Sequence, residues 1–214
     1  MKSTILCWIL TCFIGEAFAQ ASKAPLKKYM SDETKTQLAN ENMTPVQRDS
    51  MSAMKYSAVK YPCNYMTEKE KEVIHYLNLA RMYPKWFVYF FLKHPTTENE
   101  KSLYKTMMEM KTIPEPLKPS KDLFESAKCH AISSGKVGYV GHDRIAGCKS
   151  NFRGECCDYG VYAPAQIVLS LLVDEGVPSL GHRFICLSDG FQSVGISIQP
   201  HKNYGTNCVL DFGY

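Results

Sequence analysis

Two histidines and a small set of carboxylates stand beside glycine or at the end of an apolar run. There a side chain can be presented to a ligand. They are Gly141-His142, Gly154-Glu155, Asp174-Glu175 and Gly181-His182. Two imidazoles with two carboxylates are the minimum donor set for a divalent cation: neutral imidazole suits zinc, and a carboxylate completes the shell. The same groups suit general acid/base work, because histidine titrates near neutrality. No two of them share a helical face in the manner of His-Glu-x-x-His, so only tertiary folding can unite them. Asp174 and Glu175 are expected at a helix C-terminus, where the dipole disfavours negative charge by roughly 0.3–1 kcal/mol each. A nearby cation would offset this, with His182 and Arg183 close in sequence. A solvated, charged helix end fits the sequence equally well.

Other chemistries find less support. Ser133, Ser134 and Ser179 lie near glycines, but no Gly-x-Ser-x-Gly elbow is present. Gly135–Gly141 lacks the Lys-Ser/Thr ending of a phosphate-binding loop. Cys156 or Cys157 beside a histidine would make a thiol nucleophile, but a structural disulfide is the favoured fate outside the cytosol. His130 shares a helical face with Leu123 and reads as a satisfied core histidine.

The elements that must position these groups follow from pattern. Thr67-Glu68-Lys69-Glu70 is a capping box opening a helix with Val73, Ile74, Leu77 and Ala80 on one stripe. Pro84 opens a second helix carrying Trp86, Phe87, Phe90 and Phe91 into the core. A helix is expected around Leu103–Met110. Ser120 caps the next one, with Leu123, Phe124, Ala127 and Ala131 inward. Gly135, Gly138, Gly141 and Gly147 mark a turn-rich stretch, and residues 151–162 read as a short strand and loop. Pro164 opens a helix that Gly176 and Pro178 end. Val194, Ile196 and Ile198 alternate on one strand and Cys208, Leu210 and Phe212 on another, with a turn at His201 to Gly205. Helices first and a closing antiparallel hairpin suit an α+β domain better than a doubly wound parallel sheet.

The 214 residues are 45% hydrophobic and carry a formal charge of +4 spread along the chain. A clustered basic footprint of the nucleic-acid kind is missing. Lys2, an apolar run from Ile5 to Ile14 and the small-x-small site Ala17-Phe18-Ala19 read as a signal peptide over residues 1–19, giving a secreted or periplasmic chain that begins near Gln20. An uncleaved anchor is the alternative, although the run is short of the ~20 residues a spanning helix needs. No later segment is apolar enough to span a membrane. Residues 20–66 are polar and poorly periodic, and read as an N-terminal extension. Seven cysteines remain after residue 19, an odd number. Cys186 with Cys208 is the expected disulfide, because Cys186 just precedes the strand that should pair with the strand of Cys208.

Several segments resemble the CAP superfamily of SCP-like domains (cysteine-rich secretory proteins, antigen 5 and pathogenesis-related 1 proteins), in its bacterial-type branch. Residues 72–84, with Leu77-Asn78-x-x-Arg81, resemble its opening helix. Residues 117–142 resemble its second helix and first site histidine. Gly154–Gly160 looks like the motif of the first glutamate, and Asp174–Arg183 like the second-histidine segment. Gly195–Ile198 and Cys208–Phe212 fit its closing hairpin. The likeness covers residues 67–214. It implies a three-layer α-β-α sandwich with a cleft formed by His142, Glu155, His182 and a second acid, Asp174, with Glu175 as the alternate. It also implies a divalent metal such as zinc on His142 and His182, as in some members. The chain departs from the pattern at Cys156, where asparagine is common, and at His182-Arg183. Its cysteines do not follow the animal or plant framework, so no disulfide pairing carries over.

The function expected is a secreted binding or interaction module for a small ligand, a lipid or an extracellular protein. The rival is a hydrolase in which Glu155 activates water and the histidines hold a metal. A third reading makes the four residues a hydrogen-bonded polar core.

Overall fold

The computed structural model describes residue 61 and residues 63–214. The expected signal peptide and nearly all of the expected extension lie outside the described residues. Lys60–Tyr214 forms one compact unit.

Six helices and four strands follow in the order α1 (Glu68–Met82), α2 (Pro84–Phe91), α3 (Glu98–Glu109), β1 (Lys118–Pro119), α4 (Lys121–Val137), β2 (Gly154–Tyr159), α5 (Pro164–Val173), α6 (Gly181–Cys186), β3 (Ser193–His201) and β4 (Gly205–Gly213) among the described residues. The strands form one sheet in the order β1-β3-β4-β2. β1 pairs parallel with β3, and the other two pairings are antiparallel. This mixture of helices with a mainly antiparallel sheet matches the α+β expectation.

The Thr67–Glu70 capping box opens α1, and Val73, Ile74, Leu77 and Ala80 are all buried. Asn78 and Arg81 are buried as well, and both tie distant backbone together. Asn78 Oδ1 accepts from the Leu117 amide at 2.8 Å, and Asn78 Nδ2 donates to the Leu117 carbonyl at 3.0 Å. Arg81 donates to the carbonyls of Cys186 (3.0 Å), Ser188 (2.5 Å) and Phe191 (3.2 Å), covering the chain between α6 and β3. α3 starts five residues before the expected Leu103, because Thr97 and Glu100 form a second capping box. Gly135 is helical rather than part of a turn. A Cβ there would lie 2.1 Å from the Pro200 carbonyl oxygen, so glycine permits α4 to touch β3. Gly138, left-handed at φ 78°, ends that helix.

Alternation along the strands sorts side chains onto two faces. One face carries Glu155, Cys157, Val209, Asp211 and Gly195. It meets α4 through the cluster of Ala127, Ala131, Cys157 and Val209 and through Gly195, where a Cβ would lie 2.0 Å from the Phe124 amide nitrogen. The opposite face carries Cys156, whose sulfur meets that of Cys186 on α6 at 3.9 Å.

One disulfide is present among the described residues, between Cys129 on α4 and Cys148 in the loop that follows. The expected Cys186–Cys208 bridge is not formed, and both are buried free thiols. The sheet register explains why. Cys186 Sγ meets Cys156 at 3.9 Å, and Cys156 is opposite Leu210, two residues along β4 from Cys208.

Candidate functional site

The site lies at β2, an edge strand. Glu155 projects from β2 toward α4, its side chain 2% exposed. His142 reaches it from the loop after α4. That loop is held at Gly141, whose amide donates to the Tyr159 hydroxyl at 3.0 Å and whose carbonyl accepts from His130 Nε2 at 3.0 Å. His142 Nδ1 then donates to Glu155 Oε1 at 2.9 Å.

The second histidine is held by the same kind of contact. Asp174 ends α5 in the left-handed region at φ 56°. Its Oδ1 accepts from His182 Nδ1 at 2.7 Å and its Oδ2 accepts from the His182 amide at 2.9 Å. The amides at the start of α6 therefore compensate the acid at the end of α5, together with the imidazole. Arg183 does other work. Its guanidinium caps α5 through the carbonyls of Leu172 (2.6 Å) and Val173 (2.9 Å) and reaches the Asn99 carbonyl near the start of α3 (2.9 Å). Glu175 turns away, its Oε2 accepting from the Thr97 hydroxyl at 2.9 Å. Asp174, not Glu175, is the second acid beside the histidines.

His142 and His182 face one another with ring centroids 6.1 Å apart and ring planes at 44°. The imidazoles are presented, with side chains 56% and 19% exposed, while each partner carboxylate is 2% exposed beneath its ring. In both rings Nδ1 serves the carboxylate, which leaves the Nε2 lone pair as the free donor. With a Zn–N bond of about 2.0–2.1 Å and a ring nitrogen roughly 1.1 Å from its centroid, two imidazoles on one tetrahedral zinc stand with their centroids about 5.2 Å apart. The observed 6.1 Å is wider, so the rings would have to close by about 1 Å to share such an ion.

Arg144 and Asp211 complete the Glu155 side of the site. Neither was singled out from the sequence. Arg144 Nη2 donates to Glu155 Oε2 and also to both oxygens of Asp211, at 3.1 and 3.0 Å. Ser126 Oγ donates to Asp211 Oδ2 at 2.6 Å. The guanidinium stacks on Phe152 at 4.5 Å. One signal was available: Asp211 interrupts an apolar strand, and a charge in such a run has to find a buried partner. Burial would raise Glu155, but hydrogen bonds from His142 and Asp211 and the Arg144 charge hold it below the ordinary carboxylate value. Burial pushes Asp211 up to about 7, against the Ser126 hydrogen bond and the Arg144 charge. The hydrogen bond to Glu155 raises His142, against burial.

Behind His142 lies a second group able to hold a cation. Donor atoms of His130, Glu155 and Cys157, all buried, lie within 4.8 Å of one another. His130 is buried, as expected, but only one of its nitrogens is satisfied: Nδ1 has no partner. Burial lowers the His130 pKa and pushes the Cys157 thiol well up, so a cation there would have to displace the thiol proton.

Comparison of the chain with family models, with curated proteins and with solved structures returned no match.

Proposed function

We propose that residues 67–214 form a CAP-type, SCP-like domain, a three-layer α-β-α sandwich, exported after removal of residues 1–19. In this reading it is an extracellular binding module whose cleft takes a divalent cation such as zinc between His142 and His182. The observation that carries the reading is the pair of imidazoles 6.1 Å apart, each with Nδ1 tied to a buried carboxylate. A carboxylate behind a ligating imidazole fixes its tautomer and raises its basicity, and removing such a partner typically weakens metal binding about 10–100-fold. A bound zinc would supply a Lewis-acid centre at the mouth of the cleft, open to a donor group of a small ligand, a lipid or an extracellular protein. Among the described residues no helix is long and apolar enough to cross a membrane.

The hydrolase alternative draws less support from the geometry. Both Glu155 oxygens are engaged, one by His142 and one by Arg144, which suits orienting His142 better than activating water. A second placement of the cation, on His130, Glu155 and Cys157, is favoured by their 4.8 Å clustering.

Calorimetric zinc titration of the exported protein tests the proposal. His142→Ala and His182→Ala are each expected to weaken binding at least tenfold, Asp174→Asn by about tenfold or more, and Cys157→Ser to leave it unchanged. Unchanged affinity in both histidine variants would overturn the shared site.

A further inference from the structure

Cys156 and Cys186 stand as close thiols in the structure, and nothing in the cleft chemistry uses them. We propose that they form a second disulfide in the folded, oxidised protein, a covalent strap between β2 and α6.

The geometry favours this pair. The two sulfurs are 3.9 Å apart and both residues are fully buried. A bond at about 2.04 Å needs each sulfur to move by roughly 1 Å, within reach of small side-chain rotations. Cys157, the chain neighbour of Cys156, projects to the opposite face, into the cluster with Ala127, Ala131 and Val209. It cannot compete for Cys186. Cys208 is opposite Asp158 in the β2–β4 register, whereas Cys156 is opposite Leu210, so Cys208 sits at a different level of the sheet. Cys156 and Cys186 are free in the structure, where Cys129–Cys148 is closed; an oxidising compartment offers both pairs the same oxidant.

The step needs an oxidant, and a low-molecular-weight disulfide such as glutathione disulfide supplies it. One cysteine loses its proton and attacks a glutathione sulfur, forming a mixed disulfide and releasing one glutathione thiolate. The second cysteine loses its proton, attacks the first cysteine's sulfur and expels the second glutathione. Two protein thiols are oxidised, and one disulfide is reduced to two thiols. Burial of both sulfurs places this exchange before α6 docks on β2. Burial also pushes the Cys156 thiol well up and makes it a poor nucleophile once folding is complete. After closure the same burial keeps reductants out.

The strap would act on the cleft. Cys156 follows Glu155 on β2, and Cys186 lies one helical turn beyond His182 on α6. The bond therefore joins the strand bearing one His–acid pair to the helix bearing the other.

Peptide mapping without reduction tests the proposal on the natural sequence. The protein is refolded in a glutathione redox buffer until Cys129–Cys148 is complete, then alkylated in denaturant and cut with trypsin. Cleavage after Arg153, Arg183 and Lys202 places Cys156 with Cys157 on residues 154–183, Cys186 on 184–202 and Cys208 on 203–214. A disulfide linking 154–183 to 184–202 is expected, kept in Cys157→Ser and absent in Cys156→Ser. Alkylated Cys186 in molecules that carry Cys129–Cys148 would overturn the proposal, as would Cys186 joined to Cys157 or Cys208. The result does not depend on whether the cleft binds zinc.

Discussion

At the residue scale the candidate site is two imidazoles backed by two acids, and the acids are held differently. Asp174 is bound by backbone amides and one ring, so it needs no cation of its own. Glu155 shares Arg144 with Asp211 in a buried cluster. Arg144→Met should therefore destabilise the protein by about 3–5 kcal/mol in denaturant unfolding at pH 8, where Asp211 is ionised, because it removes the guanidinium that both buried acids share and leaves Asp211 with no cation. A loss below about 1 kcal/mol would show that the cluster is not a structural ion pair. A second buried acid gives a pH signature. Burial pushes Asp158 up to about 6 from 3.8, with the Ser170 hydrogen bond and the His182 charge opposing, and its Oδ1 has no partner. An acid raised in the folded state adds stability below its unfolded value and loses it as pH rises through about 6. Asp158→Asn should thus stabilise the protein at pH 8 by roughly 2–3 kcal/mol, the size of a shift of about two units, and change little at pH 3.5. Equal effects at both pH values would refute this origin. His142, Glu155, Asp174 and His182 were legible because glycine or a helix end flagged each one. Arg144 was not, because a lone arginine in a polar loop has no local signature and its partners lie on β2 and β4.

At the element scale, local signals with a complete mechanism were legible. The Thr67 and Ser120 caps, the prolines at 84 and 164 and the alternating closing strands each bring their own stabilising contact. The missed start of α3 was the same device, Thr97 with Glu100, in a stretch where sparse apolar residues hid the period. Gly135 was misread because a glycine that permits helix–sheet contact looks, in sequence, like one that permits a turn. Gly195 makes the same kind of contact on β3. A Cβ there meets the α4 backbone at 2.0 Å, which no side-chain rotation relieves. Gly195→Ala should lower stability by about 4 kcal/mol or more, or prevent folding, whereas Gly190→Ala, whose nearest neighbour is the Ser188 side-chain oxygen at 3.5 Å, should be nearly silent. Thermal melts of the two variants separate local backbone cost from steric exclusion.

At the scale of the whole molecule, the two His–acid pairs come together because β2 offers its two faces to different helices. Glu155 turns toward α4 and the loop of His142, and Cys156 turns toward α6, which carries His182. Adjacent residues of one strand thus reach both halves of the site. The sheet order that creates this edge could not be read from periodicity, since β2 pairs with β4, the most distant strand in sequence. The cysteine pairing was illegible for the same reason: which sulfurs meet depends on register and on which face each strand residue takes.

Zinc-edge X-ray absorption on the metal-loaded protein tests the central claim most directly, because it reads the donor atoms themselves. Two imidazole nitrogens at about 2.0–2.1 Å with oxygen completing the shell are expected for an ion held by His142 and His182. A sulfur shell at about 2.3 Å would contradict it, placing the ion on Cys157 instead, and so would a protein that takes up no zinc at all.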